Sequence, residues 1–352
     1  MSPILTSPSQ RHVSDETASY LGHVNYIRAF SSLAGFASPG DKPGPSLAQL
    51  KQEVVQSSTL NNDRNNRADS DQVRRSLANA WGTELILNLS GEFIEEDELM
   101  RLANNWAVVQ AYYVLYHATQ ALAVAKGFKR PETHPATQRL FADFWIKTRS
   151  KLVPWSLGYG DAGCVNLPDG TETDTSINAW SRCTTETRWS LASQALRTTR
   201  EDAVRKAIKS RREAQQSQFR KSWSEEEKGR LASGRKPRVT PNFPLPRLAP
   251  SERRETESKV RPYGMIDYLY RLRIKTNYVD SAMFTDGPRD QDSARSVHQD
   301  LQNLVMSTML VTELHISPLV GASVLQLWAD QWIASNSVTG KNLGLTLRRS
   351  LL

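Results

Sequence analysis

The stretch RLANNWAVVQAYYVLYHATQALAVAKGFKRPETHPATQRLFADFWIKTR, residues 101–149, decides the fold. Leu102, Trp106, Val109, Tyr113 and Tyr116 are spaced four, three, four and three apart, which lines them along one side of an α-helix and predicts a buried face. His117 follows Tyr113 by four residues and Gln110 by seven, so polar groups and a titratable ring sit on or beside that stripe. Gly127 suits a helix C-terminus, where a residue without Cβ reaches the left-handed conformation, and Pro131 lies just past it. A second apolar segment, Leu140, Phe141, Phe144 and Trp145, follows a short turn.

The aromatic run Tyr112-Tyr113-x-x-Tyr116-His117-Ala118, then Gln120-Ala121-Leu122 and Gly127, resembles the HEPN domain, a nucleotide-binding helical bundle of many prokaryotic toxin, antiphage and RNA-cutting proteins. Thr133-His134, the turn before an aromatic helix at Phe141 and Phe144, extends the resemblance. Arg271-Leu272-Arg273-Ile274-Lys275-Thr276-Asn277-Tyr278 looks like the family's arginine-led segment ending in an acid and a tyrosine, with Asn277 in place of the acid. The resemblance implies an all-α, HEPN-like bundle, an RNA or nucleotide ligand, a homodimer, and a place in a defence or toxin–antitoxin system.

HEPN ribonucleases cut RNA without metal, and their usual motif is an arginine followed after four to six residues by a histidine. In that chemistry the histidine moves a proton and the arginine stabilises the charged phosphorane. This chain lacks the local motif. Arg130 and His134 have three residues between them, Arg295 and His298 have two, and Gln110, Ala111 and Tyr112 occupy the positions where an arginine should precede His117. The resemblance leaves a composite site, with Arg273 on phosphate, His117 as acid or base, and Tyr113, Tyr116, Asn277 and Tyr278 holding the nucleotide. The plainer reading makes His117 a partner of Asn277 or Tyr278 inside a packed interface, the tyrosines core, and His134 a helix-start residue before Pro135.

Outward from this stretch, residues 20–36, 47–55, 73–87 and 92–127 read as helices, with a break at Asn88-Leu89-Ser90-Gly91 and a helix start at Ser90. The first 15 residues are polar and read as disordered, and residues 61–71 read as an exposed connection. Beyond Trp145, a glycine-rich stretch with Asp169-Gly170 as its turn suits a small β-hairpin. Gly158, Gly160 and Gly163 match a dinucleotide fingerprint in spacing alone, since no buried strand precedes them and no helix follows. Residues 186–231 form a basic helix, and residues 233–250, with five prolines, form a linker. Core character returns at Tyr263; a helix over residues 293–315 buries Val297, Leu301, Leu304, Thr308, Val311 and His315, and Ser317-Pro318 opens a last helix carrying Trp328 and Trp332, read as packing residues.

Charge divides the 352 residues unevenly. Residues 197–261 hold 19 Lys and Arg against 9 Asp and Glu, a surplus larger than the chain's whole formal net charge of +8. Arg200, Arg205, Lys206, Lys209, Arg211 and Arg212 are therefore the polyanion-binding candidates, and an acidic protein is the alternative partner. Cys164 and Cys183 stand alone, so no disulfide framework, zinc ribbon or other metal site is expected, and no cofactor. No apolar run reaches the roughly 18 residues of a membrane span, and the first residues lack a signal-peptide core, so a cytoplasmic protein is expected. The chain thus reads as an extension over residues 1–72, a bundle split between 73–150 and 263–352, and a basic insert over 151–262. Its expected function is RNA or nucleotide binding, with a metal-independent endoribonuclease using His117 and Arg273, or a protein scaffold, as alternatives.

Overall fold

The structure, a computed structural model, describes residues 15–35, 47–57, 68–148, 151–160, 163–167, 171, 174, 177, 181–279, 284, 294–336 and 343–352. Helices dominate: α1 (Asp15–Leu33), α2 (Leu47–Gln56), α3 (Ser70–Phe93), α4 (Asp97–Ala125) and α5 (His134–Phe141), which runs on into a π-helical turn, Ala142–Ile146. Strands β1 (Gly158–Gly160) and β2 (Gly163–Val165) precede α6 (Arg188–Ala232) and α7 (Pro250–Ser258). Strand β3 (Tyr263–Gly264) leads into α8 (Met265–Ile274), its π-helical continuation Lys275–Val279, then α9 (Ala294–Val320), α10 (Ala322–Asn336) and α11 (Leu343–Arg349). The all-α expectation holds, with helix over about 75% of the described residues. The expected segments over residues 1–14 and most of 61–71 lie outside the described residues.

Helix α4 is the axis of the fold. From Ala107 to Ala125 nearly every side chain is buried, apolar ones on all sides, as expected of a helix enclosed by neighbours rather than lying on a surface. Helices α3, α8 and α9 surround it. The periodicity on α9 matches the burial, with Val297, Leu301, Leu304, Thr308, Val311 and His315 all inside. Helix α1, read as an extension, is instead core: Ile27 and Phe30 are fully buried, and Phe30 packs 5.4 Å from the Tyr268 ring.

Three boundaries differ from the sequence reading. Helix α3 runs through Ser90 and Gly91 to Phe93, and the break falls at residues 94–96. Gly91 stays helical because a neighbour needs its room: a Cβ there would lie 2.8 Å from the His298 ring. Helix α9 carries Pro318 within its last turn, and the chain breaks instead at Gly321, whose φ of 101° only glycine adopts without strain. The hairpin turns between Gly160 and Gly163, in a three-stranded antiparallel sheet of order β2-β1-β3. Asp169-Gly170, the expected turn, lies outside the described residues. Because Gly158 and Gly160 sit in a strand and Gly163 opens the next, the fingerprint spacing forms no phosphate loop.

The insert folds as an arm. The first half of α6 packs on the bundle through Leu191, Ala195, Leu196 and Val204, but beyond Val204 its one buried side chain is Glu227. At about 1.5 Å per residue the exposed part spans roughly 40 Å. The proline-rich segment returns along it as a strap. Arg212 Nε donates to the Pro246 carbonyl at 2.7 Å, Trp223 meets Phe243 edge-on at 6.1 Å, and Arg238 bonds Glu227 at 2.6 Å. Residues 205–258 hold fifteen Lys and Arg against seven Asp and Glu, so the arm alone accounts for the chain's net charge of +8.

Burial also shapes the response to pH. Desolvation, aided by the charges of Lys275 and Arg271, pushes His23 down to about 3, and burial, opposed by a hydrogen bond to Val311, pushes His315 to about 4. Each ring is neutral in the folded chain and binds a proton only when unfolded below its ordinary value of about 6.5. Stability is therefore full above pH 6.5 and falls as pH drops toward these values, by at most about 1.4 kcal/mol per pH unit for each group. Thermal melts between pH 7 and 5 are expected to show a falling Tm that His315→Gln flattens. A Tm unchanged over that interval would contradict the assignment.

Candidate functional site

One face of the bundle gathers side chains from three elements. Helix α4 supplies Tyr112, Tyr113, Tyr116 and His117 in consecutive turns. Helix α5 supplies His134, its first residue, fixed by Thr133, whose hydroxyl accepts from the Ala136 amide. Helix α8 supplies Tyr270 and Arg273, three apart and so on one side. The α4–α5 connection is tied back onto α4: Gln120 Nε2 donates to the Pro131 carbonyl at 2.6 Å, and Tyr116 donates to the Glu132 carbonyl at 3.4 Å.

Arg273 is the centre of this cluster. Its guanidinium carbon lies 5.6 Å from the Tyr112 ring centroid, 5.1 Å from Tyr113 and 5.7 Å from Tyr270. Three electron-rich ring faces hold the cation in place and shield its apolar stem. Its Nε is buried and has no hydrogen-bond partner, and among the described residues no carboxylate forms an ion pair with it. A guanidinium held by tyrosine rings and not neutralised by an acid is prepared to receive an anion, with its forked donors matching a phosphate.

His134 completes the arrangement. Its Nδ1 and the Tyr112 hydroxyl share a 2.7 Å hydrogen bond, and its ring lies 4.9 Å from Tyr116 and 5.3 Å from Tyr270. Burial first, then the nearby charge of Arg273, lower its pKa and favour the neutral ring at neutral pH. Burial holds the Tyr112 phenol far above its ordinary value, opposed by Arg273, so the phenol remains protonated. Reading His134 as a helix start is correct for the backbone and misses the side chain. The signal available in the sequence was the Thr133-His134 pair; the contact to Tyr112 spans a turn that spacing rules do not join.

His117 occupies a different part of the face. It stacks on Tyr113 at 6.1 Å and its Nδ1 bonds Gln120 Oε1 at 3.1 Å, a partner on its own helix. Burial lowers its pKa, the Gln120 bond opposes this, and Arg130 adds to it. His117 and Arg273 thus share Tyr113 as a neighbour without a direct contact among the described residues. On the His117 side a cavity of about 450 Å³ opens against Tyr116, Gln120, Lys129, Arg130 and Glu132. Asn277 is half-buried on the turn after α8, and the side chain of Tyr278 lies outside the described residues.

The stripe predicted to be buried is divided. Val109 and Tyr116 are inside, Tyr113 is half-buried, and Leu102 and Trp106 are 54% and 63% exposed. Above Ala107 the inward side of α4 passes instead through Ala107, Val108, Ala111, Tyr112 and Leu115, one position along from the expected face. Leu99, Ile86 and Phe93 are exposed as well.

The basic candidates separate in the same way. Arg200 is 7% exposed and donates to the Glu257 and Val260 carbonyls at 2.9 and 3.0 Å, so it is a staple for the end of α7, not an outward charge. Arg205 pairs with Asp202, Lys209 lies 3.8 Å from Glu213, and Arg212 is engaged by the strap. Lys206 and Arg211 remain exposed without an ion pair among the described residues. Among the described residues no group of His, Cys, Asp and Glu could hold a metal ion, and no helix is long and apolar enough to cross a membrane. Comparison with known proteins gives no match to a family model, a curated protein or a solved structure.

Proposed function

We propose that this chain is an RNA- or nucleotide-binding module of HEPN-like type, in which Arg273 anchors a phosphate and the surrounding rings hold a base. The supporting observation is the Arg273 guanidinium set among Tyr112, Tyr113 and Tyr270, with no ion-paired acid among the described residues. Half-buried Tyr113 and His117, stacked on one another, offer a flat surface for a base. Lys129 and Arg130, at the adjoining cavity, continue the positive path, and the arm adds sequence-independent contacts to a longer strand. Binding should fall with salt, with a log–log slope near −0.7 for each phosphate contact on a single strand. A flat salt response would remove the polyanion from the account and favour a protein scaffold.

A catalytic form of the same reading, metal-independent RNA cleavage, is favoured by one contact. The imidazole that shares the tyrosine rings of Arg273 is that of His134, held by Tyr112. Incubation of labelled RNA with protein in EDTA, beside His134→Ala and His117→Ala, separates binding from turnover. Cleavage lost in His134→Ala and kept in His117→Ala would support this form. Intact RNA with every variant would end it.

The homodimer belongs to the same proposal. Leu99, Leu102 and Trp106 lie three and four apart on α4, and Ile86 and Phe93 lie seven apart on α3, all 49–63% exposed. Two such hairpins meeting about a two-fold axis would each cover the other's apolar stripe. Sedimentation is expected to give a dimer that Trp106→Glu weakens by about 100-fold or more. A wild-type chain that stays monomeric at tens of micromolar would contradict it.

A further inference from the structure

Away from the tyrosine cluster, where the arm leaves the bundle, a groove of about 700 Å³ opens between α6, α7 and the edge of β1. Its floor is apolar, formed by Val204, Ile208 and Tyr159, and its rim carries Arg205, Arg253 and Arg254. Two of the rim arginines share their charge with local acids, Arg253 with Glu257 at 3.0 Å and Arg205 with Asp202, which Arg271 also meets, while Glu201 lies 3.8 Å from Arg197. Arg254 is exposed and forms no ion pair among the described residues. Arg200, 7% exposed, adds a buried positive charge at the base.

We propose that this groove binds a nucleoside triphosphate, with the base on the Tyr159–Val204–Ile208 floor and the phosphates on the Arg205, Arg253 and Arg254 rim. Volume and chemistry agree: the space lies within the few hundred to 1,000 Å³ of small-ligand sites, and an apolar floor beside a few directed polar groups is their usual make-up. Guanidinium groups on both helices converge on one opening, which suits a chain of phosphates better than one monovalent anion. Because α6 and α7 form opposite walls, an occupied groove would cross-link the outgoing and returning limbs of the arm at its root. This site is independent of the tyrosine cluster.

Isothermal titration of the full chain with ATP and, separately, with inorganic tripolyphosphate tests the proposal. ATP is expected to bind, and the Arg253→Ala/Arg254→Ala double variant to weaken it by about 30-fold or more. Ile208→Asp is expected to weaken ATP more than tripolyphosphate, since only ATP uses the floor. Arg253 and Arg254 are exposed, and circular dichroism checks that the double variant is folded. No ATP binding at millimolar concentration would overturn the proposal, as would equal binding by the double variant. ATP affinity lost in Arg273→Ala but kept in the double variant would assign the nucleotide to the tyrosine cluster and end the case for the groove.

Discussion

Replacing Arg348 with alanine is expected to destabilise the chain by about 3–5 kcal/mol, because it strands two carboxylates in the interior. Arg348 is fully buried and bridges two acids far apart in sequence. Its Nη2 lies 2.8 Å from Glu84 Oε2 and its Nε lies 2.8 Å from Glu313 Oε2, with all three side chains at most 2% exposed. Trp81 donates to Glu313 at 2.7 Å, so helices α3, α9 and α11 meet at one charged knot. Gly344 lets α11 sit this close, since a Cβ there would come 2.5 Å from the Glu84 carboxylate. Burial raises the Glu84 pKa and Arg348 opposes that rise. Without the arginine the buried Glu84 carboxyl favours the protonated form, so the gap between wild type and Arg348→Ala should narrow as pH falls from 8 to 5. Chemical denaturation at the two pH values checks this; equal stability of the two proteins at pH 8 would contradict it.

The second large effect concerns Arg273. Arg273→Ala is expected to lower affinity for single-stranded RNA by about 30-fold or more, the loss of a charge-assisted forked contact to phosphate. Folding should be little disturbed, since Arg273 is half-buried and no carboxylate among the described residues depends on it. Arg273→Lys should recover only part of the loss, because an ammonium keeps the charge but cannot make two parallel bonds or stack flat against tyrosine.

Much of this architecture is legible in the sequence wherever a helix buries one stripe and exposes the other. The α9 periodicity is read correctly from Val297 to His315, and the charge surplus marks the arm. The reading fails where a helix is enclosed on all sides. On α4 the aromatic and apolar residues are so dense that two adjacent faces look equally buried, and only tertiary packing decides that Trp106 faces solvent and Val108 does not. It fails again where a partner is distant. Nothing local marks Arg348 in a short basic C-terminal segment as a core residue, since its partners Glu84 and Glu313 are 264 and 35 positions away. Glycine punctuation misleads at Gly91, which serves a close helix contact rather than a break.

The candidate site was legible in its components and not in its pairing. Tyr113, Tyr116, His117 and Arg273 could each be named from the sequence, and the fold brings Arg273 against Tyr113 of α4, with His117 on that same ring but not in direct contact with the arginine among the described residues. Which histidine stands with the arginine depends on the α4–α5 connection, where Gln120 and Tyr116 fold the chain back and carry His134 to Tyr112. The arginines of α6 show the converse. Arg200 and Arg212 read as surface charge because the sequence is polar throughout, yet each is used to hold the arm together.

The most direct measurement is the fluorescence anisotropy of a labelled single-stranded RNA titrated with wild type and with Arg273→Ala across a series of salt concentrations. The account predicts binding by the wild type that weakens steeply with salt, and for the variant a loss of about 30-fold or more with a slope shallower by about 0.7. Equal affinity and equal slope for the two proteins, or no binding by the wild type at low salt, would contradict it.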